Sequence, residues 1–170
     1  MSDARVRELL DGFVARCRAA RLAVTPQRLA IFRHLASTDR HPSAEELHKT
    51  VRRELPTLSL ATVYKTLDTL AGLGAVRPVS QLGARGRWDA NVTSHHHLVC
   101  TVCGRVPDVV EPRLDAAARP AAAVAARHGF APAGHAIEIF GRCSACRGGK
   151  REASQPYDKE RGAWRKRASR

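Results

Sequence analysis

Two Cys-x-x-Cys pairs, Cys100/Cys103 and Cys143/Cys146, stand 40 residues apart and constrain this chain more than any other feature. Each pair offers two thiolates at about the bite a tetrahedral ion needs, so two pairs can wrap one ion completely. Such a site contributes on the order of 10 kcal/mol or more to folding. Each pair also falls at the end of a predicted strand. Redox chemistry is the competing reading, although a thioredoxin-like protein needs only one pair, at a helix start. A structural zinc ion held by Cys100, Cys103, Cys143 and Cys146 is the expectation. Cys17 is left over on the apolar face of a predicted helix and reads as a small buried hydrophobe.

Composition sets the class. At 170 residues the chain is one domain or two small ones. The opening stretch "MSDARVRELLDGF" lacks the apolar core of a signal peptide. No uncharged apolar run is long enough to span a bilayer. A cytoplasmic protein with no membrane partner is expected, and in a reducing compartment paired cysteines favour metal or redox roles over disulfides. Net charge is +13, and it is uneven. Residues 1–88 carry 15 Lys/Arg against 8 Asp/Glu, whereas residues 89–147 carry 6 against 5. A basic first half beside a near-neutral middle suggests that one domain faces a polyanion. A solvated basic surface is the plainer account of the same charge.

Periodicity supplies the architecture. Residues 4–20 place Val6, Leu9, Leu10, Phe13, Val14 and Cys17 at helical spacing. Thr25-Pro26 reads as an N-cap with proline at the first helical position, and Ser43 with Glu46 as a capping box. Pro56 is expected to close the third helix. Ser59 opens a fourth that ends at Gly74, a left-handed cap. Short strands "AVRPVS" and "GRWDAN" follow, joined by the turn "QLGARG". Helices and hairpin on a basic segment describe a winged helix-turn-helix over residues 1–86, with the last helix set for a DNA major groove. Its early residues Ala61, Thr62, Tyr64 and Lys65 offer a small side chain, a hydroxyl, a phenol and a cation. Arg21, Arg28 and Ser59 complete the expected DNA-facing set. The same residues also suit the wet side of any bundled helix.

Gly83 and Gly86 mark the approach to a hinge at 87–92. From 93 to 147 the order is strand, strand, alanine-rich helix, strand, so the fold class is α+β: a winged helix followed by a small α/β domain. Residues 148–170 are charged and aperiodic and read as a basic, disordered tail.

Between the hinge and the first cysteine pair lies "SHHHLVC". In a strand, successive side chains alternate faces, so His95 and His97 share one face and His96 points the other way. Two imidazoles need further donors to hold a metal. Asp89, Asp108 and His41 are the candidates, and mixed His/Asp donors suit Fe(II), Mn(II) or Zn(II). Exposed His and Asp are also ordinary loop residues.

Taken together, "TPQRLAIFRHL", "HPSAEELH", "SLATVYKTLDTLAGLG", "RWDANVTSHHHLVCTVCG" and "CSAC" resemble the ferric uptake regulator superfamily of metal-dependent DNA-binding repressors. The resemblance covers residues 20–147 in order. It implies a homodimer that reads a pseudo-palindromic operator in double-stranded DNA, with the second domain for dimerisation. It also implies four-cysteine structural zinc and a regulatory Fe2+ or Mn2+ held by His41, Asp89, His95, His97 and Asp108. Iron-sensing members usually have Glu where this chain has Asp89 and Asp108, and peroxide-sensing members usually have Asp. The match therefore implies a peroxide sensor, in which peroxide oxidises a ligating histidine, His41 or His95. This chemistry is stoichiometric, so no enzyme is expected. Iron- or zinc-responsive uptake control is the alternative within the family. Some relatives carry a third metal site, to which His96, Asp115 and His135 correspond here, with Ser94 where those relatives have a ligand. Many members also have a Lys before the second helix where this chain has Ala23, with Arg21 two residues earlier. Outside the family, a zinc hydrolase using the His/Asp cluster and a zinc-stabilised interaction module are the other classes. The first lacks a motif such as His-Glu-x-x-His.

Overall fold

A computed structural model of the chain describes residues 2–79, 86–132, 135–148, 157–158 and 163–164. Ser80 of the first expected strand, Gly83 with the rest of the expected turn except Gly86, and the tail except Gly148 and residues 157–158 and 163–164, lie outside the described residues. The chain divides into two compact units, Met1–Val92 and Thr93–Arg170.

The first unit runs α1 (Asp3–Ala19), α2 (Pro26–Ala36), α3 (Ala44–Val51), α4 (Leu60–Gly72), β1 (Arg77–Val79) and β2 (Arg87–Asp89). Side chains cap every helix start. Ser2 accepts from the Arg5 amide, Thr25 from Arg28, Ser43 from Glu46 and Ser59 from Thr62, satisfying amides that have no partner inside the helix. Pro26 enters where its missing N–H costs nothing. Ser43 and Glu46 form the reciprocal box. Gly74 takes a φ of 61° beyond α4, the left-handed conformation that glycine adopts without strain. The strands are shorter than expected, and the end of α3 differs as well. α3 stops at Val51, ahead of Pro56, because the chain tightens into turns in which Arg53 and Glu54 donate to the Thr50 and Val51 carbonyls.

The apolar faces of the four helices meet in one core. Phe13 and Cys17 of α1 pack with Ile31, Phe32 and Leu35 of α2, Leu47 and Val51 of α3, and Val63, Leu67 and Leu70 of α4. Phe13 and Phe32 stack with ring centroids 4.5 Å apart. Replacing Phe32 by alanine is expected to destabilise this unit by about 3–5 kcal/mol through lost burial and a residual cavity. Urea unfolding followed by helical circular dichroism measures it. β1 and β2 pair antiparallel, with Arg77 opposite Asp89 and Val79 opposite Arg87. The loop before α3 joins this hairpin: Ser43 bridges to Arg87, and the Trp88 amide donates to Pro42 O at 3.2 Å. The unit is a winged helix.

The second unit runs β3 (His96–Cys100), β4 (Asp108–Val109), α5 (Pro112–Arg127), β5 (Glu138–Gly141) and α6 (Ser144–Arg147). Its sheet has the order β4-β3-β5, antiparallel between β3 and β4 and parallel between β3 and β5. A parallel neighbour requires a crossover, and α5 supplies it. Within residues 148–170 the described strands β6 (Tyr157–Asp158) and β7 (Ala163–Trp164) pair antiparallel. Among the described residues no helix is long and apolar enough to cross a membrane.

Candidate metal centres and nucleic-acid face

The four paired cysteines converge in the second unit. Cys100 ends β3, and Gly104, at φ 67°, turns the chain back so that its amide donates to Cys100 O at 2.9 Å. Cys143 stands at the start of α6, where its carbonyl accepts from Cys146 and Arg147. The four sulfurs lie within 4.8 Å of one another, with Cys103 Sγ 3.8 Å from Cys143 Sγ and the Cys143 amide 3.4 Å from Cys100 Sγ. All are free thiols. Their electrostatics are unequal. Burial opposes ionisation of Cys100, yet the amides of Cys143, Cys103 and Val102 outweigh it and bring its pKa down to about 6. Burial, reinforced by the neighbouring sulfurs, pushes Cys146 up to about 12 and also raises Cys103. Four thiolates at this spacing repel one another, and a divalent cation is what lets all of them ionise.

On one face of the β3 segment His95 and His97 come together, with ring centroids 4.7 Å apart. Asp108, opposite His97 in the β3–β4 ladder, places Oδ1 3.4 Å from His95 Nε2 and 3.5 Å from His97 Nε2. His95 Nδ1 lies 2.9 Å from Thr93 O. A carbonyl only accepts, so Nδ1 carries a proton, and in a neutral His95 the Nε2 lone pair faces the carboxylate. That is the tautomer of a metal-ligating histidine held by a backbone carbonyl, and a cation resolves the contact between two acceptors.

The opposite face carries His96. Its Nε2 lies 3.3 Å from Asp115 Oδ1, and His135 Nε2 is 3.3 Å from the same oxygen. The alternation expected of the His triplet is therefore present. The wiring is reversed, however: His96 Nδ1 accepts from the Ile137 amide at 3.1 Å, so the proton of a neutral His96 sits on Nε2. The three donors meet, but His96 presents an N–H where a ligand presents a lone pair. That Nε2–H points at the carboxylate off line and makes no hydrogen bond.

In the first unit, His41 and Asp89 are both buried. His41 holds a φ of 48°, a conformation that costs a non-glycine residue free energy and recurs at functional sites. The Arg87 guanidinium binds the carbonyls of His41 at 2.8 Å and Arg40 at 3.3 Å. Asp89 Oδ1 accepts from the Asn91 amide at 2.7 Å, while Oδ2 lies 3.7 Å from His41 Nε2 and 3.3 Å from Arg77 Nε. Arg77 is absent from the sequence reading, because only the strand register brings it opposite Asp89.

Of the expected DNA-facing residues, Arg28, Ala61, Thr62 and Lys65 line one cleft of about 460 Å³ between α2 and α4. Thr25, Gln27, Thr66 and Thr69 also line it; Gln27 was missed although it adjoins Arg28 at the start of α2. Ser59 caps α4 and bonds Thr62 Oγ1 at 2.8 Å. Exposed Tyr64 donates its hydroxyl to Glu45 at 2.8 Å. Arg21, at φ 53°, follows the C-cap of α1 and does not line the cleft.

The ferric uptake regulator family model matches residues 19–140. The chain is 33% identical over 138 residues to the peroxide-responsive repressor PerR of Staphylococcus epidermidis, covering 81% of this chain and 90% of that protein. A zinc uptake regulator solved with zinc and DNA is 26% identical, with a TM-score of 0.63 over 85% of this chain and 97% of that one. The Helicobacter pylori ferric uptake regulator, described as having three functional metal-binding sites, has the same fold, with 19% identity and a TM-score of 0.67 over 84% and 93% of the two chains. A match over most of the chain, by sequence and by fold, has one meaning: this chain belongs to the ferric uptake regulator family.

Proposed function

We propose that this chain is a cytoplasmic, homodimeric, metal-dependent transcriptional repressor that senses hydrogen peroxide and is not an enzyme. The carrying observation is the His95/His97/Asp108 set, in which one carboxylate oxygen lies within 3.5 Å of two imidazole nitrogens and His95 is fixed in the ligating tautomer. The PerR relative, 33% identical along most of its length, supports the peroxide signal. So do aspartates at positions 89 and 108.

In this reading Cys100, Cys103, Cys143 and Cys146 hold structural zinc. One regulatory Fe2+ or Mn2+ takes His41 and Asp89 from the first unit and His95, His97 and Asp108 from the second, as the family resemblance implies. A metal with ligands on both units favours one relative orientation, and a two-fold dimer in that orientation fits two half-sites of a pseudo-palindrome. Iron(II) held there would supply one-electron reduction of hydrogen peroxide beside the imidazoles of His41 and His95. One of the two would gain an oxygen atom while the other peroxide oxygen leaves as water. The protein's share is to keep those imidazoles against the metal and, once one is damaged, to lose the orientation that DNA requires. No metal is assigned to His96, Asp115 and His135, because the proton on His96 Nε2 opposes ligation. A zinc-responsive repressor is the second reading, favoured by the relative solved with zinc and DNA.

The test selects palindromic duplexes from a randomised library with the Mn2+-loaded protein, then exposes the Fe2+ form to peroxide and maps peptides by mass spectrometry. One added oxygen on the His41 or His95 peptide, with DNA release, is expected. Absence of any metal-dependent selection overturns the repressor; unmodified histidines with release tracking iron alone shift the signal to iron. Within this function Lys65 acts on a phosphate from the α2–α4 cleft. Lys65→Ala should weaken all sequences alike and reduce the slope of log affinity against log salt by about 1, measured by fluorescence anisotropy.

A further inference from the structure

The wing hairpin carries a cation pointed at one of the proposed regulatory ligands. Arg77 on β1 lies directly opposite Asp89 on β2, and its Nε is 3.3 Å from Asp89 Oδ2. Asp89 is buried, and its other oxygen is committed to the Asn91 amide at 2.7 Å. Oδ2 is thus the oxygen turned toward His41 Nε2, 3.7 Å away, and the one Arg77 holds. A buried carboxylate without a counter-charge is costly, and Arg77 is a cation that the hairpin itself supplies when no metal is bound.

We propose that Arg77 is the built-in competitor of the regulatory metal. Its guanidinium neutralises Asp89 in the metal-free repressor and so sets the metal concentration at which the protein loads. The inference rests on the reading of His41 and Asp89 as regulatory ligands. A divalent ion that uses Oδ2 must displace or share the Arg77 contact and then sits beside a like charge. Both effects raise the dissociation constant. Arg77 is 23% exposed, so solvent screens part of the repulsion. Arg87, on the facing strand β2, is bound instead to the His41 and Arg40 carbonyls and lies 3.6 Å from Glu46. It buttresses the histidine backbone and does not touch the carboxylate.

The experiment titrates Mn2+ into the zinc-loaded full chain and reads free Mn2+ by electron paramagnetic resonance. Thermal unfolding confirms that each variant is folded. Arg77→Gln is expected to bind Mn2+ about fivefold more tightly than wild type, the scale of one screened, charge-assisted contact. Arg77→Lys, which keeps the charge, should stay within about twofold of wild type. Unchanged or weaker binding by folded Arg77→Gln overturns the proposal, as does tightening by Arg77→Lys equal to that of Arg77→Gln. Asp89→Ala separates the two levels. If it binds Mn2+ as wild type does, the ligand reading fails and takes this proposal with it; if it loses the ion while Arg77→Gln is silent, only the role of Arg77 falls.

Discussion

Cys143→Ser is expected to release the structural zinc and unfold the second unit while the winged helix stays folded. Among the described residues, the buried apolar side chains of the second unit besides Cys100 and Cys146 are Val99, Val106 and Ala118. The first unit buries Phe13, Ile31, Phe32, Leu35, Leu47, Val51, Val63, Leu67 and Leu70 in one cluster. A core as thin as the former cannot supply the roughly 5–15 kcal/mol that a stable domain shows. Structural zinc contributes about 10–16 kcal/mol in small metal-dependent domains, enough to account for the difference alone. Cys143 is central to that contribution, since its sulfur neighbours Cys103 and its amide points at Cys100. Zinc content by atomic emission should fall from one ion to none per chain, and amide protection should vanish from β3 and β5. Cys17→Ser, in the other core, should keep the zinc. Retained zinc with a protected second unit in Cys143→Ser overturns the assignment.

What could be read from the sequence was local. Ser43/Glu46, Thr25-Pro26, Ser59 and Gly74 announce helix ends because capping depends on residues within one turn of each other. Alternation alone separates His95 and His97 from His96, and the cysteine spacing alone suggests the tetrathiolate set. What stayed hidden depends on register and on backbone atoms. Arg77 meets Asp89 only through the β1–β2 pairing. The opposite proton placements of His95 and His96 follow from a Thr93 carbonyl and an Ile137 amide, neither of which any side-chain pattern encodes. His48 is a third case, a histidine whose Nε2–H is taken by Leu58 O at 2.9 Å. The left-handed His41 backbone is a cost no propensity predicts, held in place by Arg87 from the neighbouring strand.

Asp108→Ala is expected to abolish the metal dependence of DNA binding. Its Oδ1 lies within 3.5 Å of both imidazole nitrogens of the second unit, so a single truncation removes a ligand and the only charge Asp108, His95 and His97 bring to the ion. The second unit then offers two neutral imidazoles, whose rings are buried, and Asp89 is the one carboxylate left in the proposed ligand set. Outer-shell substitutions cost about 10–100-fold in metal affinity. Loss of a charged ligand should exceed the upper end of that range. Linkage carries the loss to DNA: whatever factor metal adds to DNA affinity, DNA adds to metal affinity, typically about 5–150-fold. Asp108→Ala should therefore bind operator with the weak affinity of metal-free wild type, at any Mn2+ concentration that saturates the wild type. Asp115→Ala, beside His96, should leave both affinities within about twofold, since its cluster is wired for a proton. Anisotropy titrations with and without Mn2+ read both variants. If Asp108→Ala keeps the wild-type Mn2+ response, the regulatory ion does not use the His95/His97/Asp108 set; if Asp115→Ala loses it, the ion sits on the opposite face of the strand.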